Sequence, residues 1–224
     1  MVSALLTPHL VTLHNVPANL DVAVLSALLR RFGAEVHWST SRKGLSVTIC
    51  ADRIQPGNID RNLVARMRAS VLLLGALLGR CGEASLPMPG GDAIGLRSID
   101  FHIAGLEAMG GKVTLAGGVI HAAARAGLHG ADILLPRPSV GATENLLLAA
   151  VLAPGTTIIR NAAREPEIAD LANCLMLMGA SISGLETGVL TVQGGAPLAG
   201  AIHPVMPGSH RDGHDCLRRG DHEW

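Results

Sequence analysis

The chain has 224 residues, enough for one large domain or two small ones, and its 48% hydrophobic content supplies ample core material. Basic and acidic residues number 18 each, and aromatics are 2% with no tyrosine, so there is neither a basic footprint for a nucleic-acid backbone nor a stacking platform for single strands. Four scattered cysteines, Cys50, Cys81, Cys174 and Cys216, form no Cys-x-x-Cys and suit a reducing cytoplasm better than a disulfide framework.

The first six residues are apolar, but they lack a basic flank, and Pro8, His9 and His14 break up the next stretch. No signal peptide is expected. Residues 4–6 read as the stub of a buried helix that includes Met1, followed by a strand over 10–14. An amphipathic helix opens on Asp21 and runs into Gly33, and a β-rich stretch with a turn fills 36–49. Residues 73–78 are apolar nearly all round, as a buried helix is, and too short to span a bilayer. A strand over 83–86 comes next. The pattern then recurs: an amphipathic helix from Asp100 to Gly110, β structure over 113–122, a buried helix over 146–152 and a strand over 156–160. A third amphipathic helix runs from Glu167 to Gly179, with β structure over 182–192. Each amphipathic helix opens on an acid, which suits the positive end of a helix, and stops at glycine, the usual residue just past the end. The unit is strand–helix–strand–helix–strand–strand, three times. The expected class is α/β: three βαβαββ units closed about a pseudo-threefold axis, with the apolar helices inside. An ordinary open α/β sheet is the alternative; the recurring order of elements favours the repeat.

Between the first buried helix and Asp100 lies Pro89-Gly90-Gly91-Asp92-Ala93-Ile94-Gly95, followed by Arg97. A loop so rich in glycine and proline is neither strand nor helix interior. It carries a carboxylate and, nearby, a guanidinium suited to bidentate contact with phosphate or carboxylate. An acid on a loop that can close beside such an arginine is a general-acid arrangement. Alone, the same loop is a surface turn with a solvated charge.

Several stretches together resemble the UDP-N-acetylglucosamine 1-carboxyvinyltransferase family of enolpyruvyl transferases. They are Met67-Arg68-Ala69-Ser70, the 89–95 loop, Arg97-Ser98-Ile99-Asp100-Phe101-His102, Ser139-Val140-Gly141-Ala142-Thr143 and Asn161-Ala162-Ala163-Arg164-Glu165-Pro166-Glu167-Ile168. The resemblance runs over about residues 2–207 and implies an inside-out α/β barrel domain. It implies transfer of the enolpyruvyl group of phosphoenolpyruvate to the 3-hydroxyl of UDP-N-acetylglucosamine, with release of phosphate, on the way to peptidoglycan. It implies a cytoplasmic enzyme with no cofactor, no metal, and no nucleic-acid or membrane partner. Asp92 stands where the family usually has a cysteine general acid. A protonated carboxyl can deliver a proton as a thiol can, and it is a poorer nucleophile. By the same resemblance Arg68, Arg97, Ser98, Ile99, Asp100, Phe101, Arg137, Pro138, Ser139 and Val140 contact the sugar nucleotide. The segment at Ser139 opens a helix at about Thr143, whose amides could hold the diphosphate. Ser98 replaces the family's usual proline, which loosens that turn.

The family chain is about twice as long, so the expectation is a first domain without its N-terminal strand and phosphoenolpyruvate-binding Lys-Asn motif. Such a domain is expected to be inactive alone and to self-associate through an exposed apolar face. Residues 208–224 break the pattern. His210, His214 and Cys216 suggest a metal, but no companion cluster completes a tetrahedral site. One nucleotide inserted ahead of codons for the family's Asp-Arg-Ile-Glu-Thr-Gly-Thr yields Gly-Ser-His-Arg-Asp-Gly-His, which is residues 208–214, so the tail reads as frameshifted and disordered. Two rivals remain: the shikimate-pathway enolpyruvyl transferase, and a non-catalytic module that only binds a UDP-sugar.

Overall fold

The computed structural model describes residues 1–41, 44–56, 59, 61–90 and 99–206. A 3-10 helix, Val2–Leu6, is capped by Met1 and buried along its whole length. It leads to β1 (Val11–His14), α1 (Leu20–Arg31), β2 (Glu35–Ser41) and β3 (Gly44–Cys50). The short α2 (Arg61–Val64) and a second 3-10 helix, Arg68–Val71, precede α3 (Leu72–Cys81), β4 (Glu83–Pro87), α4 (Asp100–Ala108), β5 (Lys112–Ala116) and β6 (Val119–Ala123). The remainder is β7 (Asp132–Leu134), α5 (Val140–Ala150), β8 (Gly155–Arg160), α6 (Pro166–Leu177), β9 (Ser181–Ser183), β10 (Val189–Gly194) and β11 (Ala201–Pro204).

The same arrangement appears three times. β1, β4 and β8 each follow a buried helix, and each pairs antiparallel with the second strand of a hairpin: β2–β3, β5–β6 and β9–β10. Two of the sheets carry a parallel strand on the other side, in the orders β7-β8-β10-β9 and β11-β1-β3-β2. The sequence pattern alone runs every unit in unbroken chain order. The first sheet departs from that: its parallel strand is β11, from the far end of the described chain, with Val11 opposite Ala201 and His14 opposite Pro204. Without it, one side of β1 would offer unpaired backbone groups to any passing strand.

The three amphipathic helices end alike. Gly33, Gly110 and Gly179 have φ of +93, +91 and +104. Each glycine donates to the carbonyl three residues back. The next residue reaches five back: Ala34 to Leu29 at 3.1 Å, Gly111 to Leu106 at 2.9 Å, and Ala180 to Leu175 at 2.9 Å. A left-handed residue here turns the chain back so that orphan carbonyls find donors, and only glycine enters that region without strain.

Packing explains the inside helices. In α5 every residue from Ala142 to Ala150 except Glu144 is buried. α3 packs against both α5 and the Val2–Leu6 helix. The strands bury alternate residues against them, such as Val47 and Ile49, Ile120 and Ala122, and Leu190 and Val192. Exposed large apolar residues, including Leu20, Leu115, Leu134 and Ile202, are spread over separate elements. No helix among the described residues is long and apolar enough to cross a membrane.

Candidate anion pocket at the start of helix α5

Ser139 caps α5: its side-chain oxygen accepts from the Ala142 N–H at 3.4 Å, and its carbonyl accepts from the Thr143 N–H at 2.9 Å. The helix therefore begins at Val140, three residues ahead of the Thr143 start that the sequence suggested. Val140 and Gly141 are weak helix formers, but the cap outweighs them. The approach to the cap is held by the 161–168 stretch. Asn161, at φ +57, donates its side-chain amide to the Leu135 carbonyl at 3.0 Å, and the Ala163 N–H donates to the buried Thr143 hydroxyl at 3.1 Å. That stretch supports the start of α5.

Beside the cap lies a pocket of about 510 Å³. Arg68, Ala69, Val71 and Leu72 line one wall, Phe101 and His102 of α4 another, and residues 137–141 with Glu144 the third. The Arg137 guanidinium carbon stands 5.6 Å from the centre of the Phe101 ring, within cation–π range. Burial, with help from the Arg68 charge, pushes His102 down to about 4. Burial, with help from Glu167, pushes Glu144 up to about 7. Near neutrality the pocket thus holds two guanidinium groups, a neutral imidazole, a half-protonated carboxyl and the first N–H groups of α5. That set attracts an anion, and a helix start favours phosphate in particular.

Of the residues expected from sequence, Arg68, Phe101, Arg137, Pro138, Ser139 and Val140 line this pocket. Ile99 is buried just ahead of α4, and Asp100 is exposed at its first position; neither lines the pocket. Asp92, Arg97 and Ser98 lie outside the described residues, as do residues 207–224. His102, Gly141 and Glu144 line the pocket without having been singled out. Spacing could have flagged Glu144, one helical turn after Val140 and so on the same face. A more apolar cavity of about 810 Å³ lies beside Met1. Its charged lining is largely acidic, with Glu144, Glu167 and Asp170 beside His203, which suits an anion poorly. No group of three metal-ligating side chains occurs among the described residues.

Three α/β repeats with a basic pocket at a helix start define an α/β repeat domain. The family model described as EPSP synthase (3-phosphoshikimate 1-carboxyvinyltransferase) matches residues 1–209, and the chain belongs to that family. It is 50% identical over 206 residues to a UDP-N-acetylglucosamine 1-carboxyvinyltransferase of Dinoroseobacter shibae, covering 92% of this chain and 48% of the relative. It is 51% identical over 207 residues to the protein of the same name from Acidiphilium cryptum, covering 92% and 49%. The chain spans about half the length of the curated relatives it matches. Among solved structures, the enolpyruvyl transferase NikO from Streptomyces tendae aligns with a TM-score of 0.78 at 22% identity, over 92% of this chain and 48% of that one. An EPSP synthase from Acinetobacter baumannii aligns with a TM-score of 0.64 at 19% identity, over 91% and 47%. The fold is the α/β enolpyruvyl transferase fold.

Proposed function

We propose that this chain is the sugar-nucleotide-holding part of a cytoplasmic enzyme that transfers the enolpyruvyl group of phosphoenolpyruvate to the 3-hydroxyl of UDP-N-acetylglucosamine, feeding peptidoglycan synthesis. The observation that carries this is the convergence of Arg68, Arg137 and the capped start of α5 on one pocket, with Phe101 beneath Arg137. Guanidinium groups and helix amides suit a diphosphate. The aromatic face and Pro138 offer an apolar wall to the flat base or the sugar. Relatives about half identical to this chain carry the sugar-nucleotide name, whereas the shikimate enzyme's structure stands at 19% identity. That contrast favours the sugar nucleotide over 3-phosphoshikimate. In this reading Asp92 delivers a proton to the enol carbon, and Arg97 to Asp100 complete the grip on the nucleotide.

Calorimetric titration of the chain with UDP-N-acetylglucosamine tests the reading. Saturable one-to-one binding is expected, weakened roughly tenfold or more by Arg68→Ala and by Arg137→Ala, since each removes a charge-assisted contact. Equal affinity in all three proteins contradicts the assignment. A phosphate-release assay with phosphoenolpyruvate, run beside it, separates a binding module from a catalyst.

A further inference from the structure

Three helices meet in the core beneath the pocket at Gly75 of α3, Asn145 of α5 and His102 of α4. Asn145 is fully buried. A Cβ on Gly75 would run into the carbonyl and side-chain oxygen of Asn145, so glycine is what lets the helices come this close. The contact fixes the hydrogen bonding without ambiguity. The Gly75 N–H can only donate, so the Asn145 atom facing it at 2.8 Å is the oxygen Oδ1. The other arm of that amide is therefore the NH₂ group, which also can only donate. It faces His102 Nδ1 at 3.1 Å, so Nδ1 accepts and carries no proton. The ring is neutral at pH 7, being pushed down to about 4, and its single proton sits on Nε2. That edge of the ring lies at the pocket, where a Cβ on Gly141 would stand 3.6 Å from Nε2.

We propose that Asn145 is a positioning residue that locks His102 in the Nε2–H tautomer, making His102 a permanent neutral hydrogen-bond donor into the pocket for an oxygen of a diphosphate ligand. The ligand's identity rests on the function proposed above; the tautomer does not. The lock explains a fully buried asparagine just ahead of the apolar run 146–150 of α5. Leucine there would remove the donor to His102 Nδ1 and the side-chain acceptor of the Gly75 N–H. The charged groups that share the pocket with His102 are Arg68 ahead of α3, Arg137 ahead of α5 and Glu144 on α5.

The tautomer is read first, without ligand, from the ring nitrogen resonances of the full chain labelled with ¹⁵N-histidine. A protonated Nε2 and an unprotonated Nδ1 for His102, unchanged between about pH 5.5 and 8, are expected. A proton on Nδ1 overturns the proposal. The variant is Asn145→Asp, which keeps the shape and the acceptor for Gly75. Its carboxylate draws the His102 proton to Nδ1 and raises the ring's pKa, so the neutral ring presents an acceptor at Nε2 and only the protonated ring still donates there. Affinity for UDP-N-acetylglucosamine, whose diphosphate diester does not titrate in this range, is then compared at pH 6 and 8. Glu144 titrates in both proteins, so the ratio of variant to wild type is the quantity read. The ratio is expected to be near one at pH 6 and to fall roughly tenfold at pH 8, the loss of one hydrogen bond to a charged ligand. A ratio independent of pH overturns the donor role. Absence of any binding by wild type contradicts the sugar-nucleotide reading and the ligand half of this proposal, while the ring signals still decide the tautomer.

Discussion

Two ionisable side chains in the pocket pull stability in opposite directions as pH changes. His102 falls from its ordinary 6.5 to about 4 in the folded chain. Between those values the unfolded state binds the extra proton, so stability rises with pH. Glu144 rises from its ordinary 4.5 to about 7, so there the folded state binds the extra proton and stability falls as pH rises from 4.5 to 7. Each effect amounts to on the order of 3 kcal/mol over its full range. Where they overlap they nearly cancel. Glu144→Gln is expected to expose the His102 effect alone: thermal melts should show Tm climbing between about pH 4.5 and 6.5, where wild type stays nearly level. Parallel profiles for the two proteins contradict this. Asp92 belongs to the same scale. In a chain joined to the remaining length of its relatives, Asp92→Asn is expected to slow phosphate release by roughly two to four orders of magnitude, because the amide has no acidic proton to give. Asp92→Cys should stay active and become sensitive to the thiol-alkylating epoxide fosfomycin. An undiminished Asn variant would make Asp92 a bystander.

At the scale of elements, what was legible depended on period and punctuation. The three amphipathic helices announced themselves by an acid at the start, a 3.6-residue apolar stripe and a glycine at the stop. The structure closes all three with the same pair of hydrogen bonds. β7 and β11, three and four residues long, were not among the strands placed from the sequence, and the closure of the first sheet by β11 went unplaced with them. The start of α5 was misplaced because Gly141 weakens the first turn while the stabilising group, the Ser139 side chain, lies outside the helix. The glycines themselves give a graded test. At Gly179 an added Cβ meets nothing within 4 Å, so Gly179→Ala carries only the left-handed strain, about 1–2 kcal/mol. Gly75→Ala adds a collision with the Asn145 backbone and should cost distinctly more. Chemical denaturation of both variants checks the order; equal costs would show that α3 and α5 can part without penalty.

For the whole molecule, the last described strand closes the repeat, and the pocket lies where its second and third units meet. β11 completes the sheet on β1, and His203 on that strand bonds Asp170 of α6 at 3.0 Å, tying the last described strand to the third unit. The repeats then bring Arg68, His102 and Arg137 together from three distant stretches of chain. Composition and periodicity showed the repeat and could not show this meeting point, since no local pattern records which helix starts face one another. Six of the expected residues meet there because whole motifs were matched to a family. Glu144 could have been flagged by its spacing from Val140, whereas the burial that sets His102 apart is not displayed by a single sequence. The direct test of the central claim is a parallel calorimetric titration of the chain with UDP-N-acetylglucosamine and with 3-phosphoshikimate. The account predicts one-to-one binding of the sugar nucleotide and no measurable heat from the shikimate ester. Binding of the ester alone, or of neither, would contradict it.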